Sequence, residues 1–364
     1  MTMQNGLSRR SAPPLKIGRV MIGADRPCVI IAEAACEHHG RLSAAKRLAR
    51  AAKSAGAEIV KFQLHLPHEE MLPGSITFWA GSMDDVLKQV NLSIDAHRKL
   101  KRYCEQIGIQ YLCTAYCAAG VDVLDALGVP AFKIGSGEMT NLPMIRHVAR
   151  MSARKRKPVL VSTGMSTMEE IVQTVAVLKA EGAQFMLLNC TSEYPPQYPH
   201  VNLGLLPILR RRFGVLVGHS DHSPENYTAF AAVALGAAAI EKHFTLSRKR
   251  RGPDWLVSIE PGELKALVDG VRKIGAALGS EKRLYPDERI VRRWAHHSVV
   301  SLRDIARGSA ITPEAIGVKR PGWGIPAKHL EALYGRVARR DIPTNALVRW
   351  NDVNPALSGK GGVK

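Results

Sequence analysis

Between Val29 and about Thr245 the chain alternates two hydrophobic rhythms. Short runs dense in Val, Ile, Leu and Phe are each followed by a segment whose apolar residues recur every three or four positions, the spacing of a helix with one buried face. Eight such runs can be read: VIIAEAA from Val29, IVKFQLH from Ile59, QYLCTAY from Gln110, AFKIGS from Ala131, PVLVSTG from Pro158, FMLLNCTS from Phe185, VLVGHSDH from Val215 and AAIEKHFT from Ala238. The segment LSAAKRLARAAKSAG, Leu42 to Gly56, shows the helical pattern that follows the first run. The runs start 30, 51, 21, 27, 27, 30 and 23 residues apart, the size of a strand-plus-helix unit. Eight such units closing on themselves predict an α/β fold, a (β/α)8 TIM barrel over residues 1–279.

The 51-residue interval marks an insertion, about Leu66 to Leu92, with PGS and AGSMDD turn chemistry, where a strand-to-helix loop can lid the barrel mouth. Ser166 and Thr167 each have a glutamate three residues on, Glu169 and Glu170, the capping-box spacing that starts a helix. A last helix runs from Pro261 to about Leu278. The charged, irregular stretch after it, residues 280–297, reads as a linker. Residues 298–356 are short segments broken by RGSAITPEA, KRPGWGIP and IPTNA, a compact, loop-rich small domain, and 357–364 are expected to be a disordered tail.

Composition narrows the class. At 364 residues, 46% hydrophobic and 23% charged, the chain is an ordinary globular protein, which excludes a disordered, collagenous or small disulfide-framed one. The longest apolar stretch, Thr228 to Ile240, falls short of the roughly 18 residues a bilayer span needs, and the N-terminus has no apolar signal core, so a cytoplasmic location with no membrane partner is expected. Six cysteines without a CxxC pair read as buried free thiols. The net charge of +19 asks for an anionic partner: nucleic acid, an anionic membrane surface or a small anionic substrate. The basic clusters at Arg146–Lys157, Arg210–Arg212 and Arg248–Arg251 lack interleaved aromatics, so no nucleic-acid partner is expected.

In a barrel of this kind the reacting groups gather at the C-terminal strand ends, where the following loops meet. Here those ends carry Glu33, Lys61 with Gln63, Thr114, Lys133 with Ser136, Ser162, Asn189 to Tyr194, Ser220 with His222, and His243. Buried lysine and histidine cost free energy unless paired, so the ring predicts a polar, ligand-binding mouth. His222 and His243 stand on consecutive strands, roughly 4.8 Å apart. Both imidazoles can reach one divalent cation acting as a Lewis acid on a carbonyl; the alternative is two ordinary strand-end histidines bonded to backbone. Glu33 would complete that site or act as acid/base. Lys61 and Lys133, with Ser136, Ser162 and the backbone of Ile134 to Glu138, suit a phosphate, although the GSG segment alone reads equally well as a tight turn. A Schiff base on Lys61 is a further option, against which the histidine pair argues.

Taken together, EAACEHHG, AGAEIVKFQLH, FKIGSGEMTNLP, STGMST, CTSEYP, GHSDH, ALGAAAIEKHFT with GPD, and KRPGWGI resemble the sialic acid (N-acetylneuraminate) synthase family, from about Val29 to Asp352. The small domain resembles that family's antifreeze-like (SAF, β-clip-type) domain. The resemblance implies condensation of phosphoenolpyruvate with the open-chain aldehyde of N-acetylmannosamine, with water attack and C–O cleavage releasing phosphate. It implies Mn2+ or Mg2+ on His222 and His243. Phosphoenolpyruvate would lie on Lys61, Thr114, Lys133, Ser136, Ser162 and Ser220, with Glu33 as acid/base. Gln63, Glu138, Ser192, Tyr194 and Asp254 would contact the amino sugar. A homodimer is implied in which Arg320, of the RPG motif, reaches the sugar of the other subunit; Trp294 would add an apolar wall near the N-acyl group. The bland reading of Arg320 is one surface arginine among many.

The chain departs from the family pattern at Glu37, where asparagine is usual, at Ser192, at Trp255 after GPD, and at His296–Ser298, where two arginines commonly precede the serine. All lie toward the sugar end. The rival readings follow from that: a legionaminic or pseudaminic acid synthase using a 6-deoxy diacetamido sugar, a related synthase using a 6-phosphorylated amino sugar, for which Arg248–Arg251 offers cations, or a basic non-catalytic binding protein.

Overall fold

The computed structural model describes residues 12–72, 74, 77–78, 81–252 and 254–354. The chain divides between Gly279 and Ser280 into two compact units.

In the first unit eight parallel strands close into a barrel: β1 (Val29–Ala35), β2 (Ile59–Leu64), β3 (Gln110–Ala115), β4 (Phe132–Ile134), β5 (Val159–Ser162), β6 (Phe185–Cys190), β7 (Leu216–Asp221) and β8 (Ala239–His243). Each strand pairs with its neighbours in sequence, and β8 pairs with β1 with His243 opposite Glu33. The eight hydrophobic runs are these eight strands, and the barrel predicted from their spacing is the fold. Side chains alternate between the two faces of each strand. One face packs on the surrounding helices, as Ile30, Ala32, Val60, Phe62, Val161 and Leu187 do. The other fills the barrel, with Val29, Ile31, Ile59, Leu112, Leu160, Met186 and Leu216 as its apolar layers.

The helices form for the reason the periodicity gave. Leu42–Ala55 buries Ala44, Ala45, Leu48, Ala49, Ala52 and Ala55 on one stripe and stops at Gly56, whose φ of 95° is left-handed. Of the two candidate capping boxes, the chain uses Thr167: its hydroxyl accepts the Glu170 N–H at 3.3 Å, while the Glu170 carboxylate accepts the Thr167 N–H at 2.7 Å. The Ser166 hydroxyl instead donates to the Gly164 carbonyl, 3.1 Å away. In the insertion after β2 the structure shows helices Pro67–Glu70 and Met83–Val90 and the strand pair Thr77–Phe78 with Gly81–Ser82; the remainder lies outside the described residues.

Ahead of the alternating pattern, Leu15–Ile17 and Val20–Ile22 form an antiparallel hairpin. Leu15, Ile17 and Ile22 pack with the inward residues at the strand starts, so the hairpin closes that end of the barrel. The mouth is at the other end. All six cysteines are buried free thiols, as their spacing predicts. Among the described residues no helix is long and apolar enough to cross a membrane.

In the second unit a core of Val299, Ile305, Ile311, Ile316, Ile325, Leu333, Ile342 and Val348 is wrapped by short segments around the strand pair Ser298–Ser301 and Ile316–Lys319. The stretch expected to be an irregular linker holds a ten-residue helix, Pro286–Ala295. Pro286 and two acidic residues open it, the Glu288 carboxylate accepts the Tyr285 N–H at 2.9 Å, and Arg292 and Arg293 close it. Its capping signals and an apolar stripe of Ile290, Val291 and Trp294 at helical spacing were both in the sequence; the helix buries no residue, and that stripe is exposed. The expected tail, 357–364, lies outside the described residues.

Candidate active site

The inward face of every strand changes character toward its C-terminal end. Ile31 is followed by Glu33, Ile59 by Lys61 and Gln63, Leu112 by Thr114, Ala131 by Lys133, and Leu160 by Ser162. The polar ends meet in one cavity of about 230 Å³. Of the side chains singled out in the sequence, Glu33, Lys61, Gln63, Thr114, Lys133 and Ser136 line it on one side. Ser162, Ser192, Tyr194, Ser220, His222 and His243 line it on the other. Glu138 and Asp254 are not among its lining residues.

Lys61 and Lys133 are buried together at its floor. The Lys61 ammonium is ion-paired with Glu33, stands 3.7 Å from Glu241 Oε1 and donates to Thr114 Oγ1 at 2.9 Å. Lys133 Nζ lies 3.3 Å from Glu241 Oε1 and donates to Ser162 Oγ at 2.8 Å. Glu241, which also accepts the Ser220 hydroxyl at 3.0 Å, is thus the hub joining both cations, and the sequence reading passed over it. The signal was available: with His243 pointing inward, the residue two positions earlier must point inward too.

Burial pushes the Glu33 carboxyl up to about 7, partly opposed by Lys61, so it can exchange a proton near neutrality. Burial acts the same way on Glu241, but Lys133 and Lys61 outweigh it and hold Glu241 below its ordinary value. Burial disfavours the charged Lys61 as well, yet Glu241 and Glu33 lift it above its usual value. For Lys133 burial prevails and the ammonium is lowered.

Next to the cations the Gly164 N–H donates to Ser136 Oγ at 3.1 Å. A Cβ at Gly164 would stand 2.7 Å from that oxygen, so only glycine lets the backbone come so close. Glu138 sits in the single turn Ser136–Glu138, its Oε2 buried without a hydrogen-bond partner, and burial pushes it up to about 7.

The imidazoles of His222 and His243 meet edge to face, with ring centroids 5.1 Å apart. His222 Nδ1 lies 2.9 Å from the Thr191 carbonyl, so that nitrogen donates to it, while Nε2 stands 3.4 Å from the Tyr194 hydroxyl and 3.9 Å from Cys190 Sγ. His243 Nδ1 is buried with no hydrogen-bond partner, and Asp254 Oδ2 is 3.7 Å from it. Burial, reinforced by His222 and the nearby lysines, drives His243 well below its ordinary value, which keeps it neutral. For His222 burial opposes the charged form, but Cys190, Glu241 and Asp221 raise it above its ordinary value, so a divalent cation would have to displace a proton there. His243 already offers the neutral imidazole with an uncommitted nitrogen that such a cation requires. With the His222 proton displaced, the pair fits one. Among the described residues no three His, Cys, Asp or Glu side chains are grouped to hold a metal, so the protein would supply these two donors and leave the other positions open.

Of the sequence departures, Glu37 is buried beside the turn that holds Asp254, whose N–H it accepts. Trp255 lies under the Arg251 guanidinium, 5.2 Å from its ring centre. In the second unit, Arg320 Nε donates to the Ala295 carbonyl at 2.9 Å and its guanidinium lies 5.7 Å from the Trp294 ring centre.

The model of the NeuB family matches residues 48–283, and that of the SAF domain matches 296–354. The chain is 36% identical over 333 residues to the N,N'-diacetyllegionaminic acid synthase of Campylobacter jejuni, covering 88% of this chain and 98% of the relative. It is 35% identical over 312 residues to the N-acetylneuraminate-9-phosphate synthase of Homo sapiens, covering 82% and 84%. The fold matches the N-acetylneuraminic acid (sialic acid) synthetase of Leptospira borgpetersenii with a TM-score of 0.71 at 29% identity, covering 78% of this chain and 97% of that one.

Proposed function

This chain belongs to the NeuB family of sialic acid synthases and carries a SAF domain, and on that premise we propose that it condenses phosphoenolpyruvate with the open-chain aldehyde of an N-acylated amino sugar, N-acetylmannosamine first among them, to give a nine-carbon 2-keto acid and phosphate. The observation that carries the proposal is the pair of buried ammonium groups, Lys61 and Lys133, bonded to Thr114 and Ser162 in the same cavity as the two histidines. Two fixed cations with hydroxyls between them are a cradle for a ligand bearing both phosphate and carboxylate. Ser136, Ser220 and the Gly164 N–H extend it.

In this reading the methylene carbon of phosphoenolpyruvate bonds to the aldehyde carbon, whose oxygen takes up a proton. Water adds to the resulting oxocarbenium-like carbon, and the C–O bond to phosphate breaks. Glu33, poised near neutrality, accepts the proton that the water loses. Lys61, already paired with Glu33, holds the carboxylate of phosphoenolpyruvate and so keeps the carbon that bears it beside Glu33. His222 and His243 would hold Mn2+ or Mg2+, which when bound supplies Lewis-acid polarisation of the aldehyde oxygen. Gln63, Ser192 and Tyr194 at the cavity wall, with Glu138, Asp254 and Arg320, are assigned to the acceptor. The assignment of Arg320, and the homodimer it presupposes, rest on the family likeness; a raised acceptor KM in Arg320→Ala and a dimeric mass in solution are expected, and normal kinetics in that variant would remove the residue from the site.

The test is phosphate release from phosphoenolpyruvate by metal-stripped protein with Mn2+ restored, against N-acetylmannosamine, its 6-phosphate and 6-deoxy diacetamido sugars. The likeness to the Campylobacter jejuni enzyme supports including the diacetamido sugars. Release with one acceptor establishes reaction and substrate together. No release with any, from folded protein that binds Mn2+, overturns the proposal.

A further inference from the structure

Asp221 and Lys242 are opposite each other in the register of β7 and β8, and each is followed directly by one of the two histidines. Ser220 and His222 line the cavity, as do Glu241 and His243, so by alternation Asp221 and Lys242 point the other way, out of the barrel. Both are buried, at 1% and 0% exposure, and paired at 2.8 Å.

Their remaining hydrogen bonds run to the loop after His222 and to the first turn of the helix that follows it, Tyr227–Ala234. Lys242 Nζ donates to the Ser223 carbonyl, to the Glu225 carbonyl at 2.7 Å and to Ser223 Oγ at 3.2 Å. Asp221 Oδ1 accepts the Ser223 N–H at 2.9 Å, and Oδ2 accepts the Thr228 hydroxyl at 2.8 Å. On the far side His219 Nε2 stands 3.6 Å from Asp221 Oδ1. A buried ion pair of this kind adds little stability over apolar side chains of similar volume, because desolvation offsets its attraction. What it does impose is geometry: the three N–H donors of Lys242, shared among four nearby acceptors, and the two oxygens of Asp221 are satisfied only within a narrow range of positions.

We propose that the Asp221–Lys242 pair is a positioning device that fixes the strand ends bearing His222 and His243, and so sets the 5.1 Å spacing of the two imidazoles on which a shared divalent cation depends. The part concerning the cation rests on the reading of the two histidines as its ligands; the part concerning their spacing does not. Both side chains act through the histidines and touch neither substrate nor metal.

The decisive variant is the double substitution Asp221→Asn with Lys242→Met, which removes both charges and keeps the volume at each position, examined in the full-length protein. Folded double variant is expected to bind Mn2+, followed by the electron paramagnetic resonance of the free ion, about 10–100-fold more weakly than the parent, and its crystal structure is expected to show the imidazoles displaced from each other. Unchanged ring spacing, with Mn2+ affinity within twofold of the parent, overturns the proposal. If the parent itself binds no Mn2+, the ligand reading fails, and the ring spacing of the variant still decides the positioning role. Should the double variant not fold, Lys242→Arg takes its place: it keeps the charge for Asp221 on a planar head that does not reproduce the contacts to both loop carbonyls, and the same two readouts apply.

Discussion

Glu37 and Asp254 are joined by a hydrogen bond across most of the chain: Glu37 Oε1 accepts the Asp254 N–H at 3.2 Å. The loop after β1 thereby holds the turn that sets the Asp254 carboxylate 3.7 Å from His243 Nδ1. Burial pushes the Glu37 carboxyl up to about 7, so near neutrality it is only partly ionised and the bond contributes about 1–1.5 kcal/mol. Glu37→Ala is therefore expected to raise the acceptor KM about five- to tenfold while leaving that of phosphoenolpyruvate unchanged. Glu37→Gln keeps the acceptor oxygen and should recover most of the loss. Steady-state kinetics with each substrate varied in turn checks this; equal changes in both constants would count against it.

Removing Lys61 strands a buried carboxylate. Lys61→Met leaves Glu33 buried beside Glu241 without its cation, at a cost of about 3–5 kcal/mol in unfolding free energy. The double variant Lys61→Met with Glu33→Gln should regain most of that stability in urea titrations. Its phosphate release should stay at least about 100-fold down, because the charge facing the substrate is gone in both.

Chelation should stop phosphate release, and Mn2+ should restore it. His222→Ala and His243→Ala are expected to stay inactive after Mn2+ is returned and to lose Mn2+ binding measured directly. Full activity in either variant would remove that histidine from the cation site.

His97 makes the fold sensitive to acid. It is fully buried, with Nδ1 2.9 Å from the Tyr111 hydroxyl, and burial, with His65 adding, pushes it down to about 4. In the unfolded chain it titrates near 6.5. Between these values the unfolded state binds more protons, so stability falls as pH drops from 6.5 toward 4, by about 2 kcal/mol between pH 6.5 and 5. His38, pushed down to about 3 by burial, acts in the same direction. Denaturant titrations at pH 7 and pH 5 should show a smaller difference in His97→Gln than in the parent.

The barrel was legible because its strands are continuous apolar runs and its helices carry a stripe, two periods that do not resemble each other. The polar mouth was legible because Lys61, Lys133, His222 and His243 end runs that are otherwise apolar. What the sequence reading passed over has particular physical causes. Glu241 and Lys242 stand side by side in EKHF, and only the period of two, anchored on His243, separates the inward hub of the cations from the outward partner of Asp221. The helix Pro286–Ala295 carries only a short apolar stripe, Ile290, Val291 and Trp294, among five charged residues, and that stripe stays exposed, so the segment read as charged and irregular. The bond from Glu37 to Asp254 spans two loops that no local pattern connects.

The hairpin of Leu15 to Ile22 makes the barrel a blind vessel, and that dictates an order of events. Lys133 and Glu241 lie one inward layer deeper than His243, on the side of the plug. A phosphate-bearing substrate bound among them must arrive before the aldehyde occupies the histidine layer above, and the later ligand becomes a stopper for the earlier one. Turnover should then follow a compulsory sequence: phosphoenolpyruvate competes with its own dead-end analogues, while an acceptor analogue inhibits uncompetitively toward it.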